Sequence, residues 1–87
     1  MSFTIGFMIS VYPNPSSGKY EVFIDGINDS EVPMKVISFD GREVWSASRT
    51  FSGSGRLDLD LSTQSDGIYF LIIETENGIL SKKLLKK

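Results

Sequence analysis

Apolar and polar residues alternate with a period of two along most of this chain, the spacing of β-strands that bury one face and wet the other. The clearest case is Leu57, Leu59 and Leu61 set against Asp58 and Asp60, which fixes both a dry face and the strand register. Lys19 to Asp25 repeats the pattern, with Tyr20, Val22 and Ile24 on one side and Glu21, Phe23 and Asp25 on the other. Phe7 to Tyr12 is a first strand. Met34 to Phe39 and Arg42 to Ala47 flank Asp40-Gly41, which the spacing predicts as a two-residue type I′ hairpin turn. Gly26 to Pro33 is a polar, turn-rich connection, and Phe51 to Gly55 reads as a flexible loop. Ile68 to Thr75 is apolar on both faces, Ile68, Phe70 and Ile72 opposing Tyr69, Leu71 and Ile73, as a central strand between two layers requires. Asn77-Gly78 predicts a second type I′ turn leading into a last strand, Ile79 to Leu85.

No segment carries apolar residues at helical spacing, and the sole alanine is Ala47. Seven short strands without crossover helices predict an all-β fold: a seven-stranded antiparallel immunoglobulin-like β-sandwich. The 87 residues suffice for one small domain, which at this size buries about 60–65% of the surface its unfolded chain exposes.

Chemistry is sparse. The chain has no Cys and no His, so thiolate nucleophiles, disulfides and zinc-cysteine sites are excluded, and the commonest general base and metal ligand are missing. Asp58 and Asp60 are two residues apart on a strand, hence side by side on its wet face, and lack the oxygen-rich loop that Ca²⁺ prefers. They read as solvated carboxylates, and neither metal nor cofactor is expected. The formal charge of −2 is uneven: five basic residues face eleven acidic ones up to position 81, and Lys82, Lys83, Lys86 and Lys87 follow. A positive tail on an acidic body argues against nucleic acid as a partner. The apolar run Phe3 to Ile9 has no basic region before it and is too short for a bilayer, so it is read as neither a signal peptide nor a membrane span.

Several motifs stand out in order. Tyr12-Pro13-Asn14-Pro15 closing at Gly18 is a stiff extended-then-turning connection, since each proline fixes its own φ and pushes the preceding residue out of the helical basin. It is followed by Phe39-Asp40-Gly41-Arg42-Glu43-Val44, by Leu59-Asp60-Leu61-Ser62, and by Gly67-Ile68-Tyr69-Phe70-Leu71, where Tyr69 is expected to bury its ring and bond its hydroxyl to backbone. The run Ser81-Lys82-Lys83-Leu84-Leu85-Lys86-Lys87 ends the sequence. Taken together over residues 11 to 87, these pieces resemble the C-terminal sorting domain of type IX secretion system cargo proteins.

That resemblance implies a non-enzymatic secretion signal. The type IX translocon recognises it at the periplasmic side of the outer membrane, and an upstream cargo domain is carried across. A sortase-like surface protease then removes the signal, leaving the cargo secreted or attached to the cell surface. It further implies that residues 1–10 are a linker or leading strand before the sorting domain of 11–87, and that the sorting motif comprises Tyr12, Pro13, Asn14, Pro15, Gly18, Asp40, Gly41, Gly67, Tyr69, Leu71, Lys82, Lys83, Leu84, Leu85, Lys86 and Lys87. Lys86 and Lys87 are expected to fray beyond the last strand. An immunoglobulin-like adhesion or carbohydrate-binding module is the alternative, and it needs an exposed aromatic platform at Trp45 or Phe51. Trp45 is expected instead to cover the sheet. A hydrolase ranks third, for want of a nucleophile–base pair.

Overall fold

A computed structural model describes residues 8–14, 16–27, 31–75 and 78–87. Seven strands follow in order: β1 (Met8–Tyr12), β2 (Lys19–Ile27), β3 (Val32–Ser38), β4 (Glu43–Arg49), β5 (Gly53–Asp60), β6 (Gly67–Thr75) and β7 (Gly78–Lys86). They form two antiparallel sheets, β1-β2-β5 and β4-β3-β6-β7. The fold is the all-β immunoglobulin-like sandwich that the alternation predicts. Among the described residues no helix is long and apolar enough to cross a membrane.

The core is made by the residues that the period-two pattern points inward. Tyr20, Val22 and Ile24 of β2 and Leu57, Leu59 and Leu61 from the β5 segment meet Val32, Met34 and Val36 of β3, Tyr69, Leu71 and Ile73 of β6, and Leu84 of β7. Ile9, Val11, Val44 and Trp45 pack against this cluster from its margins. Burial of branched and aromatic side chains on facing sheets is the main favourable contribution at this size.

Four local expectations change. The β3–β4 hairpin is not a type I′ turn, because Gly41 takes φ +88° while Asp40 is not at positive φ. Gly41 donates its N–H to Ser38 C=O (2.9 Å) and Ser38 donates to Arg42 C=O (2.8 Å), a three-residue loop closed by glycine in the left-handed region. Phe51 to Gly55 is not a flexible loop: Phe51 is buried, and β5 already begins at Gly53. A Cβ at Gly55 would lie 2.5 Å from the Phe51 ring, so this glycine is there to admit an aromatic side chain. The polar connection before β3 ends sooner than expected, since Val32 and Pro33 pair with Arg49 and Ser48. Finally, β6 is central within its sheet but not between two layers. Its Tyr69, Leu71 and Ile73 face the core, whereas Ile68, Phe70 and Ile72 lie half-buried on the outer face. Of the second predicted turn, Asn77 falls outside the described residues; Gly78 opens β7 opposite Thr75, at φ +132°.

Candidate functional site

The strand pairings divide the sequence motifs between the two ends of the sandwich. Tyr12 pairs with Glu21, Lys19 with Asp60, Ser38 with Tyr69, and Gly67 with Lys86. One end therefore holds the Tyr12–Gly18 connection, the Asp40-Gly41 hairpin, the Leu61–Asp66 loop and the last residues of β7. The other end holds the start of β1, where Met8 pairs with Asp25, and the Thr75–Gly78 pair where β6 ends and β7 begins. The molecule is 43 Å long and 22 Å across in each other direction, and the first residue of β1 lies toward the pole opposite the one that holds the end of β7.

At the tail pole, the connection after β1 leaves its own sheet and reaches the other. The Tyr12–Pro13 peptide is cis, and Pro15 lies outside the described residues. Asn14 then touches the outer edge of β7 with its side chain: Leu85 N–H donates to Asn14 Oδ1 and Asn14 Nδ2 donates to Lys83 C=O, both at 2.9 Å. Ser16 follows with backbone bonds, its N–H to Leu85 C=O at 3.0 Å and its C=O from Lys87 N–H at 2.9 Å. The Ser16 hydroxyl donates to Lys19 C=O (2.7 Å) and accepts from Gly18 N–H (3.0 Å). Gly18, at φ +137°, passes so close to Ser62 that a Cβ there would meet the Ser62 Cα at 2.6 Å. Its carbonyl takes the Leu61 N–H at 2.6 Å.

The end of β7 is held from the core side as well. Leu84 is fully buried, and Tyr20 sends its hydroxyl to Leu85 C=O at 2.6 Å. Burial, and to a lesser degree Tyr69, raises the pKa of Tyr20 above the ordinary tyrosine value, so this hydroxyl remains a donor. Lys86 does not fray: it pairs with Gly67 inside β7, is 8% exposed, and places Nζ 3.1 Å from Asp66 Oδ1. Desolvation makes a nearly buried ammonium depend on such a partner. Lys82, Lys83 and Lys87 remain exposed.

The other candidates fall into place around this pole. The Tyr69 ring is buried and its hydroxyl donates to Ser65 C=O at 2.5 Å. This is the tyrosine corner of immunoglobulin-like sandwiches, which ties the loop before a strand to that strand's core residue. Asp40 accepts from the Ser38 hydroxyl, a bond that holds its carboxyl below the usual carboxylate range. Leu71 and Lys82 pair in mid-sheet, away from the pole. Asp58 and Asp60 sit on the exposed face as expected. Asp58 contacts Arg56 at 3.2 Å, and Asp60 accepts from Ser62 N–H at 2.9 Å, with the Ser62 hydroxyl and amide lowering its pKa. Among the described residues no group of three or more His, Cys, Asp or Glu is placed to hold a metal ion.

Sequence reasoning did not single out Ser16, Tyr20 or Asp66 as parts of this assembly. The alternation places Tyr20 on one face of its strand and says nothing of a bond to the terminal strand. The bonds of these three residues to the end of the chain cross 20 to 71 residues of sequence, a distance that no local pattern encodes. The aromatic platform expected of an adhesion module at Trp45 or Phe51 is not formed there, because Phe51 is buried and Trp45 packs half-buried against the core.

No curated protein compared with the chain matches it. A family model for a secretion system C-terminal sorting domain matches residues 10–87, from within β1 to the end of β7, and covers every motif gathered at the tail pole. The chain belongs to that family of sorting domains, the C-terminal signals that send a cargo out by type IX secretion.

Proposed function

We propose that the translocon reads the tail pole together with the exposed lysines Lys82, Lys83 and Lys87 along and just after β7, while cargo is joined through β1. The observation that carries this reading is that β7 is an edge strand with Lys82 and Lys83 exposed along it, and that its end meets the motif-bearing connections at the pole opposite the Met8–Asp25 pair. A cargo chain preceding the sandwich enters it at β1, in the sheet that does not contain β7, so it leaves the exposed lysines free to engage a partner. Lys82, Lys83 and Lys87 supply steering toward an acidic receptor surface without contributing to the core. The domain acts by being bound rather than by catalysis. Its partners are the type IX translocon on the periplasmic side of the outer membrane and a sortase-like surface protease. The protease cuts upstream of the sandwich, before β1 begins at Met8, and frees the cargo at the surface or into the medium.

Replacing Lys82, Lys83 and Lys87 together with Gln, while keeping Lys86 and its ion pair, tests this. Exposed charge removal costs within about 0.5 kcal/mol per site, so the thermal midpoint should stay within a few degrees of wild type. A fused reporter should nevertheless accumulate in the periplasm of a type IX-competent cell, with export reduced at least about tenfold. Undiminished export of that folded variant would contradict the assignment of the lysines.

A further inference from the structure

The outer edge of β7 near its end already carries a strand-like partner from the same chain. Antiparallel pairing leaves alternate residues with N–H and C=O directed away from the neighbouring strand. The bonds from Lys83 and Leu85 to Asn14 and Ser16 identify the odd-numbered residues of β7 as that outward set. Asn14 meets them with its carboxamide, which presents one donor and one acceptor as a peptide group of an added strand would. Ser16 continues the pairing with true backbone, as a parallel bridge opposite Lys86. The edge is therefore demonstrably able to accept an extended segment.

We propose that this edge is a strand-addition site for an extended segment of the translocon, closed in cis by the Asn14–Ser16 strap, which must yield before the receptor strand can pair. The proposal rests on the reading that β7 is what the translocon engages. The strap's two halves are held differently. Both Asn14 bonds are exposed, so water replaces them at small net cost. Ser16 is buried and its hydroxyl is bonded on both sides. Opening thus starts at Asn14 and hinges near Ser16.

A strand in trans has more to gain than the strap offers. The strap reaches only Lys83, Leu85 and Lys87. Ile79 and Ser81 belong to the same outward set, and among the described residues their edge has no backbone partner. Ile79 is 67% exposed and Leu80 37%. An incoming segment can pair along the whole of β7, with apolar side chains over Ile79 and Leu80 and acidic ones near Lys82 and Lys83. That is recognition by strand addition, main chain giving affinity and side chains specificity. The strap meanwhile protects a bare edge from indiscriminate pairing.

The test uses the full 87-residue chain, the variants Asn14→Ala and Asn14→Asp, and a fluorescein-labelled peptide copying Val11 to Gly18 as probe. Asn14→Ala removes both bonds to β7, so amide exchange at Leu85 should accelerate about tenfold or more. The peptide should bind this variant at least about tenfold more tightly than wild type. Asn14→Asp keeps the acceptor for Leu85 N–H and loses the donor to Lys83, and should fall between. A reporter fused to Asn14→Ala should leave a type IX-competent cell with a shorter half-time than the wild-type fusion. Unchanged Leu85 protection, equal peptide binding by wild type and Asn14→Ala, or export of a folded Asn14 variant no faster than wild type would each overturn the strap. Failure of the wild-type fusion to export would instead overturn the sorting reading beneath it.

Discussion

Gly18→Val should remove about half or more of the domain's stability. Gly18 holds φ +137°, and a Cβ there would stand 2.6 Å from Ser62 Cα and 2.9 Å from Ser62 N. Both clashing atoms are backbone, so no side-chain rotation relieves them. Backbone strain of this kind costs about 1–3 kcal/mol, and forced overpacking adds about 1–3 kcal/mol. Shifting the segment to escape the clash would also break the Leu61 N–H bond to Gly18 C=O and the Gly18 N–H bond to Ser16. A domain of this length has about 4–13 kcal/mol in total. Loss of near-ultraviolet circular dichroism, or a denaturant midpoint reduced by half or more, is the expected readout. Gly41→Ala serves as comparison: φ is +88° but no atom lies within 4 Å of the added Cβ, so its cost is only about 1 kcal/mol. Equal midpoints for the two variants would show that the corner between Gly18 and Ser62 is looser than described.

The second large effect is expected at Tyr69. Tyr69→Ala removes a ring that is 4% exposed and should destabilise the fold by about 3–5 kcal/mol through the cavity left in the core near the start of β6. Tyr69→Phe keeps the ring and loses the bond to Ser65 C=O, for about 1 kcal/mol. The difference separates the packing of the ring from the tie of its hydroxyl. Chemical denaturation of both variants measures it, and similar midpoints would mean that the hydroxyl, not the ring, anchors this strand.

The residues that were legible in advance are those whose behaviour is set by their neighbours in sequence. Alternation placed Tyr20, Val22, Ile24, Leu57, Leu59 and Leu61 in the core because side chains two apart share a face whatever lies opposite. Legibility failed where a distant group decides. Gly53 to Gly55 look like a loop until Phe51 needs room over Gly55. Lys86 looks like a fraying end until Asp66 and the parallel bridge to Ser16 hold it. The outer face of β6 reads as buried because Ile68, Phe70 and Ile72 are apolar, yet only the fold reveals that no second layer covers them. The tail pole shows the same division. Each motif was visible singly, but the contact of Asn14 with Lys83 and Leu85 joins residues about 70 apart in sequence. A proline-flanked asparagine signals a turn and carries no sign of the strand it will cap.

The central claim is that this sandwich is sufficient as a type IX export signal. The most direct measurement fuses it to the C-terminus of a periplasmically targeted reporter and compares its location in type IX-competent cells and in otherwise identical cells lacking the translocon. The account predicts reporter at the surface or in the medium of competent cells, and reporter held in the periplasm of deficient ones. Retention in both strains, or export from both, would contradict it.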